Sequence, residues 1–220
     1  MGFHDRRDAG LQLGRRIEEW ASGQELPRPL VLALPRGGVP VAVEVARALG
    51  APLDVLVVRK IGIPGRPETG IGAVVGDDPP LYDRRALETL GLGEDRLVQE
   101  VAREREELQR RSLVYRGDRS TPDVKDRAVV LVDDGLATGA TARAALRHLS
   151  SREPARLILA VPVGAPDAVA GTRAEADDVV CLQQPPGFGA VGLWYEEFEQ
   201  VSDREVTEAL SAYRPPAPGA

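Results

Sequence analysis

The segment from Val129 to Thr141, VVLVDDGLATGAT, constrains the fold of this 220-residue chain more than any other. Its first four residues, Val129 to Val132, are all apolar, which is typical of a parallel strand that is buried on both faces. Small residues follow them, and a helix is predicted to begin near Ala140. A buried strand that leads through a loop into a helix is the repeating unit of an open α/β sheet.

The polar residues of the same segment predict a ligand. Asp133 and Asp134 stand at the carboxyl end of the strand, where open α/β sheets bind their ligands, and their carboxylates can accept hydrogen bonds from neighbouring sugar hydroxyls. The loop allows close backbone approach, and the helix N-terminus favours a phosphate. An ordinary loop that caps its helix with Thr is the alternative. The order of residues predicts a ribose 5-phosphate site made by Asp133, Asp134, Gly135, Ala137, Thr138, Gly139, Ala140 and Thr141.

Two acids, a small-residue loop and T-G-x-T resemble the phosphoribosyl diphosphate (PRPP) motif of type I phosphoribosyltransferases. The resemblance implies transfer of the 5-phosphoribosyl group of PRPP to a nitrogenous acceptor, with release of diphosphate. It also implies a Mg²⁺ cofactor that is bound mainly through PRPP oxygens and water. The protein then positions substrates and stabilises charge without a nucleophilic side chain. The catalytic candidates are Lys60, Asp133 and Asp134.

Strands and helices alternate along most of the chain. This pattern predicts an open, mainly parallel sheet of about five strands with helices on both faces. We expect a core over residues 1–184 with an inserted helical segment at about 79–125, a C-terminal hood lobe at 185–214 and a disordered tail at 215–220. The predicted strands are Leu30–Leu34, Leu53–Val58, Ile71–Val75, Val129–Val132, Leu157–Val163 and Val179–Leu182, and the main predicted helices are Asp5–Trp20, Val39–Leu49, Glu94–Arg111 and Pro166–Ala176.

A second anion site is predicted after the strand Leu30–Leu34. Arg36 offers a fork of donors, and Gly37 and Gly38 expose backbone N–H groups at a helix N-terminus, which suits a diphosphate. A simple turn is the alternative. P-R-G-G resembles the diphosphate loop of bacterial xanthine and related transferases, in which a cis peptide bond that does not precede proline is common.

Lys60 ends the next predicted strand, and the loop GIPGRPETG from Gly62 to Gly70 follows it. The sequence V-R-K is similar to adenine phosphoribosyltransferases, and TGIGAVVGDD resembles the flexible loop and strand of the hypoxanthine-guanine enzymes. The resemblance implies that Lys60 binds diphosphate and that the loop closes over the reacting centre. A surface lysine beside a turn is the alternative. Gly76 to Asp78 is interpreted as a turn rather than a metal site.

The acceptor is constrained by departures from the family pattern. Family members that act on 6-oxopurines carry Asp where this chain has Ala137, and their lysine on the following strand is replaced by the sequence AVPV. Hypoxanthine, guanine and xanthine are therefore expected to be poor acceptors. The segment from Phe188 resembles the hood of the hypoxanthine-guanine enzymes, which implies acceptor binding by Phe188, Val191 and Trp194, and Glu196 near the metal. Alternatively, these aromatic residues form the lobe's own core.

Composition limits the other classes of function. A net charge of −6 and a pI near 5.1 argue against nucleic acid as a ligand, and no apolar run is long enough for a membrane span. We expect a cytoplasmic protein of nucleotide salvage. Cys181 is expected to be buried and inert. His4 lies at the terminus and His148 is expected on a helix surface, and neither histidine is expected to take part in catalysis. Only two of the 28 basic residues are lysine, which is compatible with a thermophilic source.

The inserted helix is interpreted as a solvated brace, with a homodimer contact as the alternative. A PRPP-sensing regulator and hydrolysis of PRPP are the other functions considered.

Overall fold

The computed structural model describes residues 2–117 and 119–213, without the side chains of residues 67–69. Five parallel strands form the central sheet in the order β2-β1-β6-β7-β8, which confirms the predicted fold class, and three further strands form a separate antiparallel sheet in the order β3-β4-β5. In chain order the elements are α1 (Arg6–Ala21), β1 (Leu30–Ala33), α2 (Gly38–Leu49), β2 (Leu53–Val55), β3 (Val58–Ile63), β4 (Arg66–Val75), β5 (Leu81–Tyr82), α3 (Arg84–Leu90), α4 (Val98–Arg116), β6 (Ala128–Val132), α5 (Ala140–Ser150), β7 (Arg156–Val163), α6 (Pro166–Thr172), β8 (Asp178–Gln183) and α7 (Asp203–Ala212).

The centre of the parallel sheet places two loops next to each other. All residues of β1 and β6 are buried, and the strands pair in register, with Ala33 beside Val132. The backbone N–H of Leu34 extends this pairing by donating to the carbonyl of Val132 at 2.8 Å. Because both strands end at the same level, the loop after β1 and the loop after β6 lie side by side at the carboxyl edge.

Helices cover both faces of the central sheet, as predicted. One face packs against α1, α2 and α7, and the other packs against α5 and α6. The α1–α2 contact is close because α1 carries Gly10 and Gly14: a Cβ atom at Gly10 would lie 2.9 Å from the carbonyl oxygen of Val41. These glycines bring the first helix of the chain against the helix that follows β1.

The second sheet corrects two predictions. The predicted strand Leu53–Val58 is divided, since β2 ends at Val55 and β3 begins a different sheet at Val58. The predicted loop from Gly62 to Gly70 is largely the β3–β4 hairpin, which turns at Pro64 and Gly65. Gly65 has φ +77°, a conformation that a Pro-Gly turn supplies. The high Gly and Pro content indicated a loop, although only two residues form the turn.

The inserted segment packs on the body of the protein. Its long helix, α4, begins at Val98 after a 3₁₀ helix at Glu94–Leu97 and extends to Arg116, five residues beyond the predicted end. Glu104 of α4 binds Arg59 of β3 at 2.8 Å, and Tyr115 of α4 donates to Asp203 of α7 at 2.5 Å. These contacts agree with the interpretation of α4 as a brace, and a homodimer contact stays a prediction.

The predicted hood is smaller than its sequence boundaries suggested. Residues 185–200, called the lobe below, contain only a 3₁₀ helix at Val191–Trp194 and pack against residues 2–8. By contrast, α7 belongs to the main core, where Val206 is fully buried and Tyr213 just beyond α7 donates to the carbonyl of Ala51 at 2.5 Å. The predicted tail at 215–220 lies outside the described residues. No described helix has the length and apolarity needed to cross a membrane.

Candidate active site

Glycines allow the two loops at the carboxyl edge to approach each other. The Pro35–Arg36 peptide bond is cis, as the resemblance to diphosphate loops implied. A Cβ atom at Gly38 would lie 2.8 Å from the carbonyl oxygen of Val132, and a Cβ atom at Gly37 would collide with the carboxylate of Asp134. The predicted diphosphate loop therefore lies directly against the predicted ribose-binding acids.

Asp133 and Asp134 form a largely buried acid pair. The backbone N–H of Asp134 donates to Oδ1 of Asp133 at 2.9 Å. Burial raises the pKa of Asp133 well above its usual range, the charge of Asp134 raises it further, and the positive charge of Lys60 opposes the shift. Burial also raises the pKa of Asp134, although Arg6 opposes that shift. Such a pair is suited to accept hydrogen bonds from two adjacent hydroxyl groups.

The loop after the acid pair leaves its backbone accessible. Gly139 has φ +72°, and α5 begins at the next residue. Ala137, Thr138 and Ala140 are exposed, and Thr141 is half-buried. Phosphate binding by the first N–H groups of α5 and the Thr138 hydroxyl stays a prediction. Gly135 instead contacts the lobe, since a Cβ atom there would lie 2.6 Å from Cγ1 of Val191.

The two cations assigned to diphosphate lie on different elements and have different neighbours. Lys60 is exposed on β3, and its charge acts on Asp133. Arg36 is 25% exposed, and its Nη1 atom lies 3.9 Å from Oδ1 of Asp203 at the start of α7. This long ion pair is weak enough for Arg36 to exchange Asp203 for a phosphate oxygen.

Arg6 is a site residue that the sequence did not indicate. Its Nε atom donates to Oδ2 of Asp134 at 2.8 Å, and its Nη1 atom donates to the carbonyl of Glu199 at 2.7 Å. The guanidinium also stacks on Phe198, with Cζ 3.8 Å from the ring centroid. Only 12% of the Arg6 side chain and 15% of the Asp134 side chain are exposed. Arg6 thus joins α1, the acid pair and the lobe in one contact.

The lobe buries two of its four aromatic side chains, those of Phe188 and Tyr195, and half-buries the other two. Phe188 is 6% exposed and packs with Phe3 and Tyr195, while Nε1 of Trp194 donates to the Phe188 carbonyl at 2.9 Å. This burial favours the alternative in which the aromatic residues form the lobe's own core. Val191 and Trp194 are half-buried, and acceptor binding by Phe188, Val191 and Trp194 stays a prediction.

No metal site is visible in the described part of the chain. Glu196 is 75% exposed and accepts a hydrogen bond from Nδ1 of His4 at 3.1 Å, so nothing directs its carboxylate towards the acid pair. Among the described residues there is no group of three or more His, Cys, Asp or Glu side chains that could hold a metal ion. The role of Glu196 near a metal stays a prediction.

Two residues outside the site complete the comparison with the sequence. His148 was predicted on a helix surface, but it is only 4% exposed, and its Nδ1 atom lies 2.6 Å from Oδ2 of Asp78. The turn at Gly76–Asp78, where Gly76 has φ +52°, explains this burial because it folds over α5. Cys181 is half-buried, and burial raises the pKa of its thiol to about 11, as expected for an inert cysteine.

The family model for the phosphoribosyl transferase domain matches residues 6–196. Two Mycobacterium tuberculosis proteins, from strains CDC 1551 and H37Rv and provisionally named phosphoribosyl transferases, are each 44% identical over 208 residues. The match covers 94% of this chain and 46% of each relative, so the chain spans about half the length of these relatives. The chain belongs to the type I phosphoribosyltransferase family.

Solved structures agree with this assignment. The crystal structure of TT1426 from Thermus thermophilus matches this chain with 45% sequence identity and a TM-score of 0.80. The match covers 96% of this chain and 98% of that one. The AQ2163 protein from Aquifex aeolicus is 13% identical with a TM-score of 0.50, and the match covers 94% of this chain and 87% of that one. The Aquifex protein is similar in fold alone.

Proposed function

We propose that this protein transfers the 5-phosphoribosyl group of PRPP to a nitrogenous acceptor and releases diphosphate. One observation carries the proposal: the in-register pairing of β1 with β6 places the Arg36–Gly38 loop directly against Asp133 and Asp134. A sugar bound to the acid pair then has its anomeric carbon near a loop suited to the departing diphosphate.

The chemistry breaks the bond from the anomeric carbon to diphosphate oxygen and forms a bond from that carbon to an acceptor nitrogen. Asp133 and Asp134 would orient the ribose hydroxyls, and the N-terminus of α5 would bind the 5-phosphate. Arg36 and Lys60 would stabilise the charge that develops on diphosphate. A hard cation is compatible with these oxygen-rich surroundings, and since no described cluster of side chains encloses a metal, Mg²⁺ would be held mainly by PRPP oxygens and water. When bound, it neutralises the leaving group.

The acceptor is proposed to be a base or amine other than a standard 6-oxopurine. Ala137 is exposed and supplies no acid or base, and Val163 of β7 is fully buried within the lobe's apolar cluster. The family's two contacts to a 6-oxopurine are therefore replaced by apolar side chains, and a site that lacks such hydrogen bonds discriminates poorly in favour of that group.

A second candidate function is a PRPP-sensing regulator without turnover. The burial of Phe188 favours it, because the described lobe shows no open aromatic surface of Phe188 for an acceptor to stack on. The diphosphate loop and Lys60 favour the enzyme, since a sensor needs no stabilisation of departing diphosphate.

The test is diphosphate release from PRPP and Mg²⁺ in the presence of adenine, uracil, hypoxanthine, guanine, xanthine and small amines. Acceptor-dependent release identifies a transferase, and tight PRPP binding without release identifies a sensor. Arg36→Gln and Lys60→Gln should weaken PRPP much more than ribose 5-phosphate, which lacks the diphosphate. Equal losses for both ligands, or efficient turnover of hypoxanthine, would contradict these assignments.

A further inference from the structure

A cavity of about 540 Å³ lies between the three-stranded sheet and α5. Its floor consists of small residues of β4 and α5, among them Gly70, Gly72 and Ala144. A larger residue does not fit at Gly72 unless its neighbours move, because a Cβ atom there would lie 2.6 Å from the carbonyl oxygen of Leu81. The volume is in the range that holds a small organic ligand, roughly 300–1,000 Å³.

The walls of the cavity are strongly cationic. Among the described residues, five basic side chains line it, against one carboxylate, that of Asp83. Asp83 is already used as the N-cap of α3, since it accepts a hydrogen bond from the backbone N–H of Ala86 at 3.1 Å. In a chain whose net charge is −6, this concentration of positive charge favours an anionic ligand. The basic side chains are those of Lys60, Arg84, Arg85, Arg143 and Arg147.

The five cations fall into two groups. Glu175 binds Arg147 at 2.6 Å and lies 3.6 Å from Arg143, and it is not among the residues that line the cavity. It holds both arginines on α5 without occupying the cavity. Within the described part of the chain, no carboxylate lies within 4.0 Å of the basic groups of Lys60, Arg84 or Arg85. Arg143 and Arg147 are thus held in place, whereas Lys60, Arg84 and Arg85 have no ion-pair partner among the described residues.

We propose that this cavity binds the oligophosphate group of a small ligand. Guanidinium groups form bidentate hydrogen bonds to phosphate, and several of them converge here on a space too large for a single phosphate. Half-buried Tyr82 adds an aromatic wall, which suits a base attached to the phosphates. The shared chemistry is the oligophosphate, which inorganic triphosphate and a nucleoside triphosphate both offer.

The cavity adjoins the donor site proposed above. Lys60 lines the cavity and acts on Asp133, and Ala140 lines the cavity and begins α5. Occupancy of the cavity is therefore expected to change PRPP affinity, and this coupling rests on the proposed function. Oligophosphate binding itself does not depend on it.

The experiment is a calorimetric titration of the protein with inorganic triphosphate and with ATP at fixed ionic strength. Arg84 and Arg85 are exposed and have no carboxylate partner within the described part of the chain, so the double variant Arg84→Gln/Arg85→Gln should remain folded. It should weaken triphosphate binding about tenfold or more, the scale of one lost hydrogen bond to a charged group. The matched control is Arg15→Gln/Arg16→Gln, an adjacent exposed arginine pair on α1 outside the cavity, which should change affinity less than about twofold.

The remaining outcomes assign the ligand or overturn the proposal. Tighter binding of ATP than of triphosphate, with the difference lost in Tyr82→Leu, identifies a nucleotide, and equal binding identifies the inorganic chain. The proposal is overturned if the control pair weakens triphosphate as much as the cavity pair does. It is also overturned if Arg36→Gln abolishes binding and the cavity pair has no effect, because the donor site is then the binding site. Binding that needs Arg84 and Arg85 in a protein that does not bind PRPP would refute the proposed function alone.

Discussion

The donor half of the site and the lobe are stabilised in different ways. The donor half consists of two loops whose positions follow from the pairing of fully buried strands β1 and β6. The lobe has no strand of its own, and the N-terminal segment holds it: Phe3 donates to the Trp194 carbonyl at 2.7 Å and accepts from the Glu196 N–H at 2.9 Å. One half is therefore defined by local sequence, and the other by contacts between the two ends of the chain.

This difference explains why the donor half could be predicted from the sequence more completely than the lobe. In the loop after β6, the acids, the glycines and the helix start lie within thirteen consecutive residues, from Val129 to Thr141, and the loop after β1 is the short local motif Pro35–Gly38. The lobe depends on Phe3 and Arg6, which are far from it in sequence. Arg6 is the point at which the halves meet, because it binds Asp134 on one side and Glu199 on the other. Four substitutions or conditions test the comparison.

The largest effect is expected for Phe188→Ala. If Phe188 is the core of the lobe, its truncation should lower the free energy of unfolding by about 3–5 kcal/mol, as for other buried aromatic residues. Leu193→Ala is the control within the same lobe, because Leu193 is 76% exposed. Urea denaturation of both variants is the measurement. A stable Phe188→Ala protein that has lost only acceptor binding would restore the stacking role.

Arg6→Ala should affect both halves at once. It leaves Asp134 buried without its cation, and breaking such a pair from one side costs on the order of 3 kcal/mol in unfolding free energy. PRPP affinity should fall as well, since the carboxylate loses its orientation. Arg7→Ala removes a neighbouring arginine that is 72% exposed, and its partner Glu44 keeps Arg47 at 2.6 Å, so the cost should be less than about 1 kcal/mol. The measurements are urea denaturation and PRPP titration of the two variants. If Arg6→Ala and Arg7→Ala gave similar results, Arg6 would not link the two halves.

Asp134→Ala tests the ribose-binding role of the acid pair. If the carboxylate accepts a hydrogen bond from a ribose hydroxyl, PRPP binding should weaken by about 1.5–3 kcal/mol, the range for hydrogen bonds to charged groups. Calorimetric titration with PRPP and Mg²⁺ measures the loss, and Asp167→Ala, at an exposed acid of α6, is the control. Unchanged PRPP affinity in Asp134→Ala would remove the central assignment of the site.

The smallest effect concerns pH. Burial raises the pKa of both Asp133 and Asp134, so the pair takes up a proton at a higher pH than ordinary aspartates do. Since the ionised form accepts the ribose hydroxyls, PRPP affinity should decrease as the pH falls through the raised pKa of the pair. Titrations across the pH range in which the protein stays folded should show the decrease in the wild type and a smaller one in Asp134→Asn. An affinity that is the same at every pH would show that ionisation of the pair is not required.

Much of the fold was predictable, and the failures have identifiable causes. The five parallel strands were found because each is a short and largely apolar run, and α1 because apolar residues recur loosely over Asp5–Trp20. The division of Leu53–Val58 was missed because both pieces are apolar, although the chain leaves one sheet for another between them. The hood predicted at 185–214 includes the residues of α7, and only packing shows that Val206 of this helix enters the main core.

The sequence by itself determined the class of fold and the donor loops. Strand burial, a doubled acid and glycines at a helix start are local properties, and the hydrophobic effect and backbone sterics turn them into the same structure wherever they occur. Only the tertiary structure decided that Arg6, one of 26 arginines, meets Asp134, that His148 is buried, and that five basic side chains surround one cavity. Long side chains are chemically equivalent along the chain, and their partners are selected by the packing of distant elements, which no local pattern records.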